Sequence, residues 1–143
     1  MPDEEQEVTK LLPEDESRLM AQRRVVERYL APESMANYAT TSGKLGLIRA
    51  ILQHAVFAPS QTYELQCLGI VLGDAFVQEM EMEWIMVKDS YGRDPAIRVP
   101  GTSVIVYPLT MISKRIENGE NVDVFELFNG VADQVEKMKQ EGY

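Results

Sequence analysis

The stretch Glu83–Pro108, EWIMVKDSYGRDPAIRVPGTSVIVYP, is where the chain changes its period. Before it, apolar residues recur at helical spacing; from Glu83 that spacing is lost and β-forming residues take over. EWIMVKD (83–89) reads as a strand and Ser90-Tyr91-Gly92-Arg93 as a turn. PAIRV (95–99) reads as a second strand, with Ile97 and Val99 on one side and Arg98 on the other. Pro100-Gly101 is a strong turn dipeptide, and SVIVY (103–107) is a third strand. Three short strands joined by tight turns predict an antiparallel meander over about residues 83–107.

Outward from the meander the pattern is helical. Pro108 can open a helix with Leu109, Ile112 and Ile116 on one face. Lys114 and Arg115 fall in its last turn, and Gly119 suits its C-terminal cap. Asp123 with Glu126 resembles a capping box for a last helix, striped by Val124, Leu127, Phe128, Val131, Val135 and Met138. Upstream, residues 61–80 contain CLGIVLGDAFV, apolar nearly all round with Asp74 as the single charge, which predicts a core helix. Gly69 and Gly73, four apart on that helix, leave room for a close neighbour. Ser60 is the cap expected for this helix.

Two further helices are expected before it. One starts at Leu12-Pro13-Glu14, carries Leu19, Val26 and Leu30, and stops by Pro32. Another is capped by Ser42 and presents Leu45, Ile48, Leu52, Ala55 and Val56, with a loop over 31–41 between the two. The reading is an α+β fold of N-terminal helices, a three-stranded antiparallel meander and two C-terminal helices. Residues 1–10 are expected to be a flexible acidic tail and residues 11–143 a single domain.

The formal charge of −9 is unevenly spread. Residues 1–42 hold nine acids against five bases and 120–143 hold six against two, while 43–119 are nearly balanced. An acidic chain repels phosphate backbones, so neither nucleic acid nor an anionic membrane is expected as a partner. The single cysteine, Cys67, permits no internal disulfide and no cysteine metal cage. The acidic N-terminus is unlike a secretory signal, and no uncharged apolar run approaches membrane-spanning length, so a cytoplasmic setting is expected.

Chemistry-bearing residues are few. His54, the sole histidine, falls opposite the apolar stripe of its helix with no identifiable nucleophile, so a structural or surface role is expected. Cys67, on the apolar helix without basic neighbours, is expected to be inert. Glu79, Glu81 and Glu83 would line up on a strand as ligands for a hard cation, but the calcium-loop pattern is absent and a solvated face is the better reading. Trp84 suits core packing, or alternatively an interface anchor. Arg93, Arg98, Lys114 and Arg115 form the main basic group outside the first helix. They could contact an anion or a partner; alternatively Arg93 and Arg98 pair with Asp89 and Asp94 to pin the turn, while Lys114 and Arg115 complement a helix C-terminus. No P-loop, G-x-G-x-x-G after a strand, H-E-x-x-H, C-x-x-C or G-x-S-x-G occurs, and no cofactor or metal is expected.

LGIVLGDAF, and above all the run YGRDPAIR-PG-----YP-TMISKR, resemble a bacterial family of small proteins catalogued as domain of unknown function 3806. The resemblance covers about residues 65–128. It implies a bacterial origin and a compact module, and transfers no activity to any residue.

Three functions compete on these grounds. The first is a non-catalytic, acidic protein-binding module, one concrete form being an immunity-type protein that neutralises a toxin; it has the candidate contacts Trp84, Arg93, Asp94, Arg98, Lys114 and Arg115 and a basic protein partner. The second is a small-anion-binding or enzymatic domain built on Arg93, Arg98, Lys114 and Arg115, with Asp74 or Asp94 as carboxylate. The third is a self-associating structural module. The binding reading is preferred over catalysis.

Overall fold

The helical period ends at Met80, and Glu81 turns the chain with a left-handed φ of 53° before the first long strand begins. The computed structural model describes residues 6–142. Strand β1 (Glu7–Thr9) precedes α1 (Pro13–Glu27), a single 3-10 turn (Pro32–Ser34) and the short α2 (Met35–Tyr38). Helices α3 (Thr41–Gln53) and α4 (Thr62–Met80) lead into β2 (Glu83–Asp89), β3 (Gly92–Arg98) and β4 (Ile105–Val106). A 3-10 turn (Pro108–Thr110), α5 (Met111–Glu117) and α6 (Val124–Gln140) complete an α+β architecture. No helix of the described residues is long and apolar enough to cross a membrane.

The meander forms as the sequence indicates, but the antiparallel sheet has four strands in the order β1-β2-β3-β4. The fourth lies in the region expected to be tail: Glu7, Val8 and Thr9 pair with Lys88, Val87 and Met86. The rest of that expectation, residues 1–5, lies outside the described residues. Opposite charges face each other across the pair at Glu7 and Lys88, and Val8 joins a small apolar cluster with Ile85, Val87 and Ala96. The third strand of the meander shrinks to two residues. Its turn is of the type II kind, with the Thr102 N–H on the Val99 carbonyl at 3.1 Å and Gly101 at a φ of +76°.

Helix α4 is the hub. Leu65, Leu68, Val71, Leu72, Ala75 and Phe76 fill the main core on one side, and Ile70 meets Leu19 and Leu109 on the other. Phe76 stacks on Phe128 of α6, with ring centroids 4.6 Å apart. Gly69 and Gly73 give the close approach expected of them: a Cβ at Gly69 would sit 2.5 Å from the Pro108 carbonyl oxygen, and one at Gly73 2.5 Å from the Trp84 ring. The 3-10 turn at Pro108 and the indole therefore rest directly on helix backbone.

The caps differ in detail from expectation. Helix α3 is capped by Thr40, whose Oγ1 accepts the Gly43 N–H at 3.0 Å, rather than by Ser42. Helix α4 has no side-chain cap at Ser60; its N-cap is Gln61, whose side chain instead accepts the Ala58 N–H. Asp123 caps α6, accepting from Phe125 and Glu126, both at 3.1 Å. The loop expected over 31–41 contains two short helical turns, because Pro32 opens the 3-10 turn as its first residue.

Candidate functional site

Strand parity decides what the basic residues can do together. Arg93 and Arg98 are five positions apart on β3, so they leave opposite faces of the sheet, roughly 16 Å apart along the strand. Arg93 belongs to the face carrying Trp84 and Ile97, which looks toward the helices; Arg98 belongs to the face of Ile85 and Ala96. The four bases therefore do not assemble into one anion site.

Each arginine of the meander has a carboxylate partner, though not the one expected from its neighbours in sequence. Arg93 makes a two-pronged ion pair with the buried Asp15 of α1, its second nitrogen at 2.7 Å. Asp15 also accepts the Leu12 N–H at 2.8 Å, so one carboxylate ties the helix start to the start of β3. The Arg93 guanidinium holds the Asp15 carboxyl below its ordinary value, against burial, which pushes the other way. Lys88 and Arg93 stand directly opposite each other as like charges; Asp15 on one and Glu7 opposite the other offset the repulsion.

Arg98 pairs with Glu83, its directly opposed residue on β2, at 3.0 Å. Asp89 accepts the Tyr91 N–H at 2.8 Å within the hairpin turn, and Asp94 stands exposed. Arg115 donates to the Met111 carbonyl one turn back at 2.7 Å, and Lys114 is exposed on α5. Glu79, Glu81 and Glu83 fall in a helix, a left-handed cap and a strand, so they share no common face. No group of three or more His, Cys, Asp or Glu among the described residues is placed to hold a metal.

Trp84 is half-buried and leads to the polar centre of the molecule, which the sequence had signalled only by the isolation of Asp74. The indole Nε1 donates to Asp74 at 2.9 Å, and Arg23 of α1 donates to both Asp74 oxygens at 2.6 and 2.8 Å. Asp74 and Arg23 retain 15% and 29% side-chain exposure. Beside them the Tyr38 hydroxyl donates to Glu27 at 2.9 Å; burial first, then that bond, raise its pKa. The Lys44 ammonium, lowered in pKa by burial, donates to the carbonyls of Tyr38 and Ala39 and to Gln78. The Gln78 amide returns a bond to the Ala39 carbonyl at 2.7 Å. This network binds α1, the α2 segment, α3, α4 and β2 into one body. Its cations are held by carboxylates and carbonyls of the fold itself.

His54 is exposed at the C-terminal end of α3. Cys67 is fully buried on α4, and burial pushes its thiol up to about 11.

A groove of about 840 Å³ lies between the start of α3, the end of α4 and one face of α6. Leu45, Met80, Phe125 and Phe128 contribute apolar surface to it, and Glu79 and Glu136 are its charged residues.

The family model described as Domain of unknown function (DUF3806) matches residues 44–128, more than half of the sequence. The chain belongs to this family. The matched span is longer than the resemblance visible by eye, adding most of α3 and the start of α4. Within it lie Trp84–Asp74 and Arg98–Glu83; outside it lie β1 and α1, which bring Arg23 to Asp74 and Asp15 to Arg93 in this member of the family. No curated protein matches the sequence. A 1.50 Å crystal structure of a protein from Bacteroides thetaiotaomicron VPI-5482 shares the fold, with a TM-score of 0.72 over 92% of this chain at 15% identity. The chain spans about half the length of that protein, 49%.

Proposed function

We propose that the chain is a non-catalytic, acidic protein-binding module of the bacterial cytoplasm. Its most concrete form is an immunity-type protein that neutralises a toxin through a basic surface of that toxin. One observation carries the reading. Three arginines that could contribute to an anion site are engaged by the fold's own carboxylates, Arg23 by Asp74, Arg93 by Asp15 and Arg98 by Glu83, and Arg115 is engaged by the Met111 carbonyl. Among the described residues the acids Glu14, Glu16, Glu33, Glu79, Glu120, Glu126 and Asp133 are exposed, in a chain of formal charge −9. Such a field raises the encounter rate with a basic partner by about ten-fold or more. The competing small-anion reading needs Arg93, Arg98, Lys114 and Arg115 in one place, and strand parity separates the first two.

Affinity capture with the full chain, across growth conditions and with neighbouring gene products present, tests the proposal. A stoichiometric protein partner is expected, together with a flat thermal-shift response to nucleotides, phosphosugars and carboxylates. Absence of a partner, or a small anion whose stabilising effect is lost in Arg98→Ala with the fold intact, overturns it.

A further inference from the structure

We infer that the N-terminal arm, β1 with α1, is a separable clasp. It opens from the rest of the fold as one unit, without global unfolding, and its opening bares Asp74 and Trp84. The inference is independent of the protein-binding reading and stands or falls without it. Its ground is how little apolar surface holds the arm. From Gln6 to Thr40 the buried residues are Asp15, Leu19, Gln22 and Val26, so the seat of α1 is half polar. Every buried residue of α4, by contrast, is apolar, a glycine or the Cys67 thiol. Helix α6 buries Val124, Phe128 and Val135 and sets Phe125, Leu127 and Val131 against the same core, where α1 adds Val25. A segment with few buried apolar contacts belongs to the low-stability end of a fold.

What seats α1 is largely polar. Arg23 donates to both Asp74 oxygens, Arg93 holds Asp15 with its second nitrogen at 2.7 Å, and the Tyr38 hydroxyl donates to Glu27 at 2.9 Å. Such ties give up hydration as they form, so their net contribution is small beside that of buried apolar surface. Gln22 Oε1 is the buried side-chain atom without a hydrogen-bond partner among the described residues, and opening lets water satisfy it. The seated and open arms are therefore closer in free energy than the folded and unfolded chain. The means of opening are in place. Ala31, Pro32 and Glu33, which follow α1, are exposed, and β1 pairs along three residues at the edge of the sheet, leaving β2 its partner β3 when it departs. In the open state Asp74 keeps the indole and loses Arg23, while Ile70, Leu109 and Trp84 lose Leu11 and Leu19. The face so bared, a carboxylate beside apolar side chains, lies wholly within residues 44–128, and the arm that hides it lies wholly outside them.

Native-state hydrogen exchange of the full chain tests the clasp, read by mass spectrometry over α1, α4 and β3 at increasing urea below the unfolding transition. The interior of α1 is expected to exchange through one common opening with a shallower urea dependence than α4 and β3, which follow global unfolding. Arg93→Gln takes the guanidinium from Asp15 and leaves the Asp74 site untouched. It is expected to speed exchange in α1 by about ten-fold or more beyond its effect on α4. Arg98→Ala breaks the Glu83 pair on the other face of the sheet and is expected to show no such selectivity. Acrylamide quenching of Trp84, the sole tryptophan, is expected to rise in Arg93→Gln and not in Arg98→Ala. Exchange of α1 and α4 with one slope and one free energy, uniform acceleration by Arg93→Gln, or fast exchange confined to the ends of α1 overturns the proposal. Should Arg93→Gln fail to fold, the slopes of the parent chain decide it.

Discussion

Asp74→Ala probes the polar centre most sharply. The substitution removes the acceptor of three hydrogen bonds, two from the Arg23 guanidinium and one from the Trp84 indole. A guanidinium with 29% exposure is left without its counter-charge, and the indole N–H without its partner. Breaking a fully buried ion pair costs about 3–5 kcal/mol, whereas an exposed pair contributes about 1 kcal/mol or less. With Asp74 at 15% exposure the pair lies between these limits but nearer the buried one, and a loss of roughly 2–4 kcal/mol is expected. Urea unfolding followed by circular dichroism measures it. The emission of the sole tryptophan reports the indole separately, and is expected to shift in the folded state because its neighbour has gone. A double-mutant cycle with Arg23→Met isolates the pair, with a coupling energy of at least about 1 kcal/mol expected. A loss below about 0.5 kcal/mol, or strictly additive variants, refutes the claim that Asp74 is the anchor of this network.

The close approaches at α4 predict an ordered series. Gly69→Ala drives a Cβ into the rigid carbonyls of the Pro108 turn and Gly73→Ala drives one into the Trp84 ring, each losing about 1–3 kcal/mol in urea unfolding with Gly69 the worse, whereas Gly130→Ala, in open space on α6, gains roughly 0.5–1 kcal/mol. Asp15 has a folded pKa below its ordinary 3.8, so it stabilises the fold when ionised, and that contribution is lost as pH falls from the ordinary value through the lowered one. The urea midpoint of the parent chain is therefore expected to drop more steeply on acidification below about pH 5 than that of Asp15→Asn; parallel profiles contradict the Asp15–Arg93 assignment. Cys67, buried with its thiol pushed up to about 11, is expected to resist a disulfide reagent at neutral pH until the chain unfolds, and prompt labelling of the folded chain counts against its core position.

Much of the fold is legible because its strongest elements are long and periodic. Helix α4 ends at Met80 and β2 spans Glu83–Asp89, as the change of period indicates, and the bare faces at Gly69 and Gly73 receive the neighbours they call for. Strand β1 escapes a sequence reading because three residues with one apolar side chain, in an acidic context, carry no period; only pairing with β2 gives them structure. The charges are legible in need but not in partner. Adjacent residues on a strand point to opposite faces, so Arg93 does not meet Asp94; it reaches α1, 78 positions earlier, across the layer boundary. The partner of Arg98 was within reach of the sequence: once the turn sits at Ser90-Tyr91, antiparallel register places Glu83 opposite Arg98. Asp74 gave a similar hint, since a lone carboxylate on a buried helix requires a donor, but nothing local names Arg23, 51 positions away.

The central claim, that an acidic surface receives a basic protein partner, is tested most directly by the salt dependence of association with the captured partner. Stopped-flow or surface-resonance rates, taken from about 20 mM to about 300 mM sodium chloride, span the range over which screening shortens from well beyond to well within the size of the molecule. The association rate is predicted to fall by about ten-fold or more across that range, while dissociation changes far less. An association rate that does not respond to salt contradicts the account.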